Sequence, residues 1–241
     1  FKEIERFDRQ LNRLEYNKEK IDYVSICSPN YLHDSHIRLS LRNNCNVICE
    51  KPIVIKLEHL EMLKGLEMRY NKKIYTILQL RHHPVIEQMK KNLKKSRFKN
   101  KVKLEYITPR GKWYDYSWKG EYDKSGGILF NIGIHFFDML IWLFGKPNSF
   151  SIEKKEKTVT GFLSLENADV DFKLSIDKKN LPYKDWKPYR NLTFNNKEFN
   201  FSEGFNDLHD ISYKKIINGE GFGITDVIPA IELIENMNQN D

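Results

Sequence analysis

The first third of the chain alternates short apolar runs with amphipathic stretches of ten or more residues, a rhythm that few architectures satisfy. Ile21-Asp22-Tyr23-Val24-Ser25-Ile26-Cys27 reads as a strand stopped by Ser28-Pro29-Asn30, and Asn46-Val47-Ile48-Cys49 as one stopped by Glu50-Lys51-Pro52. A third follows at Ile74-Tyr75-Thr76-Ile77-Leu78-Gln79-Leu80. Helical patterns cover 2–16, 31–43 and 57–70, and in the second of these Leu32, Ile37, Leu39 and Leu41 fall on or near one side. Strands joined through helices of this length run parallel, so the segment predicts an α/β, doubly wound parallel sheet.

Beyond His83-Pro84 the pattern changes. A helix over 85–94 and a basic connector from Lys94 to Lys101 lead into an alternating stretch, Val102 to Thr108. A loop rich in Trp, Tyr, Lys and Gly runs over 109–124. The next helix, about 127–144, stops at Gly145-Lys146-Pro147. Residues 148–202 alternate as strands, among them Thr158–Leu165, Val170–Ile176, Arg190–Phe194 and Lys197–Phe201, with Asn195-Asn196 as a hairpin turn. Helices over 207–217 and 225–237 close the chain. This second part is α+β with an antiparallel sheet. The division falls at 1–83 and 84–241, with the last helix free to pack back on the first part.

The chain has 241 residues, 40% of them hydrophobic and 30% charged, and no apolar run long enough to span a bilayer, which is the composition of a soluble globular protein. Its net charge of +7 suits nucleic acid or a phosphorylated small molecule. Basic residues lie beside acids, as in Lys154-Lys155-Glu156-Lys157, so a solvated surface is the simplest reading and nucleic acid is not the expected partner. Cys27, Cys45 and Cys49 form no CxxC pair, which points to a reducing cytoplasm, with Cys27 and Cys49 as core thiols. No HExxH or comparable cluster predicts a metal. Helical sequence begins at Phe1 without a leading strand, so the chain is expected to be a fragment lacking its natural start.

Ligands of open parallel sheets sit outside the carboxyl ends of the strands. Ser28-Pro29-Asn30 and Glu50-Lys51-Pro52 occupy two such ends, and His33 can approach the same crevice. Either motif could also be an ordinary strand-to-helix turn. A cis peptide before Pro52 would aim Lys51 into the crevice. Gly126-Gly127 lets backbone approach a ligand, and Asn131 and His135, four apart, project from one helix face with Asp138 a turn further on. Arg110-Gly111-Lys112-Trp113-Tyr114-Asp115-Tyr116-Ser117-Trp118-Lys119-Gly120 mixes cations with aromatics. That mixture suits a charged ligand carrying a ring, such as a nucleotide diphosphate sugar; single-stranded nucleic acid or an interface are its alternatives.

Ser28-Pro29-Asn30 with Leu32-His33, then Glu50-Lys51-Pro52, then Gly126-Gly127 through Gly133-Ile134-His135 to Asp138, resemble in order and spacing the Gfo/Idh/MocA family of NAD(P)-dependent oxidoreductases. Within that family Thr108 to Gly120, Ser125 to Asp138 and Ser202-Glu203-Gly204-Phe205-Asn206-Asp207-Leu208-His209 are most similar to the UDP-N-acetyl-2-amino-2-deoxyglucuronate 3-dehydrogenases of bacterial surface-polysaccharide (O-antigen) synthesis. The resemblance implies a Rossmann domain followed by a domain with an open, mainly antiparallel sheet through which the protein oligomerises, to a tetramer in relatives. It implies NAD, with NADP as the alternative, held by Ser28, Pro29, Asn30, His33, Glu50, Lys51, Gln79 and Arg81. Lys51 and His135 would be catalytic, His135 as acid/base. Arg110, Lys112, Trp113, Tyr114 and Asn131 would join them in binding the nucleotide sugar. Many relatives carry Asp where Asn131 stands; an amide cannot act as a base, so Asn131 would orient the sugar. The family's glycine-rich GxGxxG turn has no counterpart in the 241 residues. A relative acting on another sugar or an inositol, or a non-catalytic binding protein of the same fold, remain the alternatives.

Overall fold

The computed structural model of the chain describes residues 2–93, 98–184, 186–200 and 204–239. Part of the basic connector, Phe201 at the end of the last expected strand, and Ser202-Glu203 of the family-like segment lie outside the described residues.

Helix α1 (Lys2–Tyr16) precedes three parallel strands, β1 (Tyr23–Ile26), β2 (Asn46–Cys49) and β3 (Ile74–Thr76), in spatial order β1-β2-β3. Helices α2 (His33–Arg42) and α3 (Leu57–Tyr70) make the crossovers. The register pairs Ile26 with Cys49 and Cys49 with Thr76, so the three carboxyl ends are level. Side chains alternate between faces. Val47 and Cys49 pack on Ile37, Leu41, Leu60 and Leu63, all wholly buried. Ile48 points the other way and meets Ile77 and Ile216, flanked by Tyr23, Tyr75 and Tyr213. Ile216 and Tyr213 belong to α8 (Leu208–Ile217), near the end of the chain, so a distant helix covers the second face of this sheet. The closing helix α9 (Ile224–Gln239) lies against α3 and β3.

The strand expected over 74–80 ends at Thr76. The last ladder bond runs from Ile77 N–H to the Cys49 carbonyl, beyond which β2 turns away and leaves no partner; Gln79–His82 then coils into a 3₁₀ turn. Cys49 is buried as expected, but Cys27 is exposed because it lies one residue past the end of β1.

Helix α4 (Pro84–Asn92) leads to a six-stranded sheet of β4 (Asn100–Ile107), β5 (Pro147–Lys155), β6 (Thr158–Leu165), β7 (Ala168–Ser175), β8 (Tyr189–Phe194) and β9 (Lys197–Asn200). Its order is β5-β6-β7-β4-β8-β9. The sheet is mainly antiparallel, as expected, with one parallel pair: β4 and β7 run parallel because a helical crossover and the β5-β6 hairpin separate them in sequence. Asn195 and Asn196, at φ 48° and 65°, make the β8-β9 turn. One face buries Val102, Leu104, Leu163, Val170, Phe172 and Leu174. Phe172 meets Phe137 edge-on, 5.2 Å between centroids, and Phe137 belongs to α7 (Ile134–Phe144). The opposite face carries Lys101, Lys103, Asp171 and the exposed Phe162.

The helix expected over 127–144 is interrupted. Two short turns, α5 (Trp113–Tyr116) and α6 (Tyr122–Ser125), fill the preceding loop, and α6 ends at Gly126, φ 77°. Only glycine fits there, since a Cβ would lie 2.6 Å from the Phe130 ring. A π-helical turn, Leu129–Gly133, then precedes α7. The stretch Tyr122–Phe144 is apolar and long enough to cross a bilayer by length and composition, but 67% of its apolar window is buried inside the protein. It is a core helix.

Candidate active site

Three segments meet at one place, termed the crevice: the turns after β1 and β2, and the π turn before α7. The Lys51–Pro52 peptide is cis. Lys51 Nζ donates to the Asn131 carbonyl at 3.2 Å, bonding the parallel-sheet region to the π turn of the other. A π turn widens the helix and loosens its own bonding, so its carbonyls can serve an outside donor. Burial pushes the Lys51 ammonium down to about 8; Glu50 opposes the shift, and the cations of Lys119 and Arg110 reinforce it. His135 stands one α7 residue beyond the π turn. Burial, then the charges of Lys51, His209 and Arg190, hold its imidazole well below the usual range, so it is neutral at pH 7 and able to accept a proton.

Asn131 is oriented from the other side. Its Nδ2 donates to the Tyr114 hydroxyl at 3.0 Å, and Tyr114 is buried, its phenol pushed up by that burial. Tyr114 therefore positions Asn131, while its own O–H keeps a proton to donate. The neighbouring Trp113 is 41% exposed, with the Arg110 guanidinium and the Lys119 ammonium each 5.9 Å from its ring. Lys112 is exposed at the start of α5.

Several residues expected to hold the cofactor are occupied by the protein itself. The ring nitrogens of the fully buried His33 lie 2.7 Å from the carbonyl oxygens of Pro52 and Ser28, tying the two strand-end turns together. Burial lowers its pKa. Asn30 Nδ2 donates to the Ser125 carbonyl at 3.0 Å, clamping the first turn to the Gly126 bend. Ser28 Oγ is 2.9 Å from His36 Nδ1. Arg81 is engaged through its guanidinium by Asp138 and Asp226. It is 5% exposed, bonds Asp138 through two nitrogens at 3.0 and 2.7 Å, and donates to the Asp226 carbonyl at 2.8 Å. Asp138, which shares a helix with His135, is thereby structural. Pro29, Glu50 and Lys51 remain at the strand ends, and Gln79 Oε1, just beyond β3, is buried with no hydrogen-bond partner.

Three further residues belong to this crevice. Lys119 lay within the aromatic-cationic loop. Arg190, on β8, stacks on Phe205 at 4.5 Å; His209, in the first turn of α8, has its Nε2 3.1 Å from Glu50 Oε1. No spacing rule links positions so far apart in sequence. Among the described residues no cluster of three His, Cys, Asp or Glu could hold a metal.

Residues 5–77 match the oxidoreductase family with an NAD-binding Rossmann fold, and residues 91–169 its C-terminal α/β domain. The fold superposes on the WlbA (WbpB) dehydrogenase of Thermus thermophilus, solved with NAD and α-ketoglutarate, at TM-score 0.89 and 43% identity over 94% of this chain and 75% of that one. The chain belongs to the Gfo/Idh/MocA family. The same Thermus thermophilus enzyme solved with NAD and UDP-GlcNAcA gives 42% identity and TM-score 0.90, covering 95% of this chain and 76% of that one. Among curated relatives, glucose-6-phosphate 3-dehydrogenase of Bacillus subtilis is 24% identical over 124 residues, 49% of this chain and 35% of the relative. The chain spans 35% to 42% of the length of the curated relatives it matches.

Proposed function

We propose that this chain carries the reacting centre of an NAD-dependent dehydrogenase that oxidises the 3-hydroxyl of a UDP-N-acetylglucosaminuronate-type nucleotide sugar. The observation that carries the reading is the junction of Lys51 with the Asn131 carbonyl, beside a neutral His135, in a crevice crowded with cations. The 43% identity to a dehydrogenase crystallised with NAD supports it, as does the complex of that enzyme with UDP-GlcNAcA.

The residues present fit the reacting half of the dinucleotide. Pro29 and Glu50 line the strand ends, and the unpartnered Gln79 Oε1 offers an acceptor for a carboxamide N–H. NAD supplies a hydride acceptor when bound. Lys51 holds the reacting hydroxyl and stabilises the negative charge that develops on its oxygen. His135 takes the hydroxyl proton at whichever ring nitrogen faces the sugar. Asn131, fixed by Tyr114, orients the ring, while Arg110, Lys112 and Trp113 hold the uronate and diphosphate. The enzyme would act in the cytoplasm in the synthesis of bacterial surface polysaccharide, as a homo-oligomer packed through the open face of the six-stranded sheet.

The test is to incubate the intact protein with NAD+ and UDP-N-acetylglucosaminuronate and follow nicotinamide reduction. Glucose 6-phosphate and an inositol serve as competing substrates. No reduction with the uronate, or reduction that survives replacement of both Lys51 and His135, sinks the assignment.

A further inference from the structure

The loop 109–124 doubles back on itself. Gly120 N–H bonds the Ser117 carbonyl at 3.0 Å, and Lys119 N–H bonds Ser117 Oγ at 3.3 Å. Gly120 lies so close to the preceding turn that a Cβ there would stand 2.4 Å from the Tyr114 carbonyl oxygen. This tight return places Lys119 Nζ 5.9 Å from the Trp113 ring and 5.4 Å from that of Trp118, with the Arg110 guanidinium also 5.9 Å from Trp113. The ring attracts each cation, but the two cations also repel each other, a cost that an anion placed between them would remove.

Among the described residues the protein supplies no such anion. Of the three acids of the loop, Glu121 is taken by Lys124 at 2.7 Å and Asp115 by Lys157 at 3.7 Å, and Asp123 makes no ion pair with either cation. Among the described residues neither Arg110 nor Lys119 pairs with a carboxylate, and Arg110 Nε is buried with no hydrogen-bond partner. The cations are also close to the chemistry. Trp113 and Tyr114 are ring neighbours at 5.9 Å, the Tyr114 hydroxyl meets Asn131 Nδ2 at 3.0 Å, and the Asn131 carbonyl meets Lys51 Nζ at 3.2 Å. A planar guanidinium with an unused N–H beside a point-charge ammonium matches a planar carboxylate better than a neutral hydroxymethyl.

We infer that Lys119, acting with Arg110 across the Trp113 ring, reads the carboxylate borne by the sugar ring and so selects uronates over neutral nucleotide sugars. The inference rests on the function proposed above and names the group that sets its substrate class. That Lys119 and Arg110 both press the Lys51 ammonium downward agrees with a crevice awaiting negative charge.

Calorimetric titration of the intact protein with UDP-N-acetylglucosaminuronate and with UDP-N-acetylglucosamine, which differ only at that carboxylate, tests it. The unaltered protein should prefer the acid. Lys119→Gln should weaken the acid about ten-fold and leave the neutral sugar within about two-fold, as expected for loss of one charge-assisted contact. Lys119→Arg should keep the preference. Equal weakening of both ligands would mean that Lys119 serves the shared diphosphate or the loop fold, and it overturns the inference; so does a preference that survives Lys119→Gln. Failure of the unaltered protein to bind either nucleotide sugar would instead overturn the proposed function, and the inference with it.

Discussion

The two sides of the crevice are built on opposite principles. On the parallel-sheet side, the polar groups after β1 and β2 are largely satisfied by other parts of the protein: His33 bridges two turns and Asn30 clamps the Gly126 bend. On the loop side, cations rest on exposed indole faces and Arg110 keeps an unmade hydrogen bond. The first side spends its polar groups on rigidity. The second keeps them for a ligand. Lys51 stands where they meet, held by a backbone carbonyl yet pressed by neighbouring cations.

Replacing the residues at that meeting point should have the largest effect. Lys51→Met removes the group proposed to stabilise developing negative charge, and kcat should fall about 10³-fold, by analogy with loss of an oxyanion donor. His135→Asn, which keeps a polar side chain but no base, should cost about 10²- to 10⁴-fold. Steady-state rates under saturating cofactor measure both. A loss appearing only in KM would show that these residues bind and do not react.

The rigid side is tested through stability. Arg81→Met leaves the Asp138 carboxylate buried without its partner and should destabilise the fold by about 3–5 kcal/mol in denaturant titrations. Burial already raises the Asp138 pKa against the opposing pull of Arg81, so losing the guanidinium drives the carboxyl further toward its neutral form. Adding Asp138→Asn should recover part of the loss, because the orphaned charge is gone. If Arg81→Met instead left stability unchanged and weakened cofactor binding, the contrast between the two sides would collapse.

How far all this could be read from the chain follows the same divide. The alternation of apolar runs and helices foretold the parallel sheet, because periodicity is local and strands joined by helices have few ways to pair. Lys51 and His135 stood out in the sequence because one follows the end of an apolar strand and the other lies four residues after Asn131 on a helix opened by Gly126-Gly127. Asn30, His33 and Arg81 were read as cofactor ligands, yet their partners are the carbonyls of Ser125, Pro52 and Ser28 and the carboxylate of Asp138. A polar residue at a strand end looks the same in sequence whether it faces a ligand or a distant carbonyl, and carbonyls have no sequence signature. The π turn was invisible for a related reason: Leu129–Gly133 has an apolar pattern that an α-helix would share. Arg190 and His209 arrive from β8 and α8, and only the folded chain brings them to Glu50 and His135.

Tyr114→Phe probes the link between the sides. It keeps the buried ring and removes the hydroxyl that receives the Asn131 amide, so the penalty should be about 1 kcal/mol in stability. Turnover should drop no more than about ten-fold, read as a split in which kcat falls and KM is nearly constant, since the amide still occupies its place but is no longer aimed.

The smallest effect concerns pH and is the most discriminating. The profile of kcat/KM reports the free enzyme. Its acid limb is set by His135, whose depressed pKa keeps it neutral until well below the ordinary imidazole range. Its alkaline limb should lie near 8, where the Lys51 ammonium loses its proton and with it the positive charge that stabilises the oxyanion. Burial is the larger cause of that low value and Lys119 the largest of the neighbouring charges that deepen it. Removing the Lys119 charge therefore lets Lys51 hold its proton to higher pH, and the alkaline limb of Lys119→Gln should move upward by a fraction of a unit while the acid limb stays fixed. If Lys51 instead reacted as the free amine, kcat/KM would rise rather than fall through about pH 8 and that rising limb would move upward in Lys119→Gln, which would make Lys51 the base and leave His135 to orient the sugar.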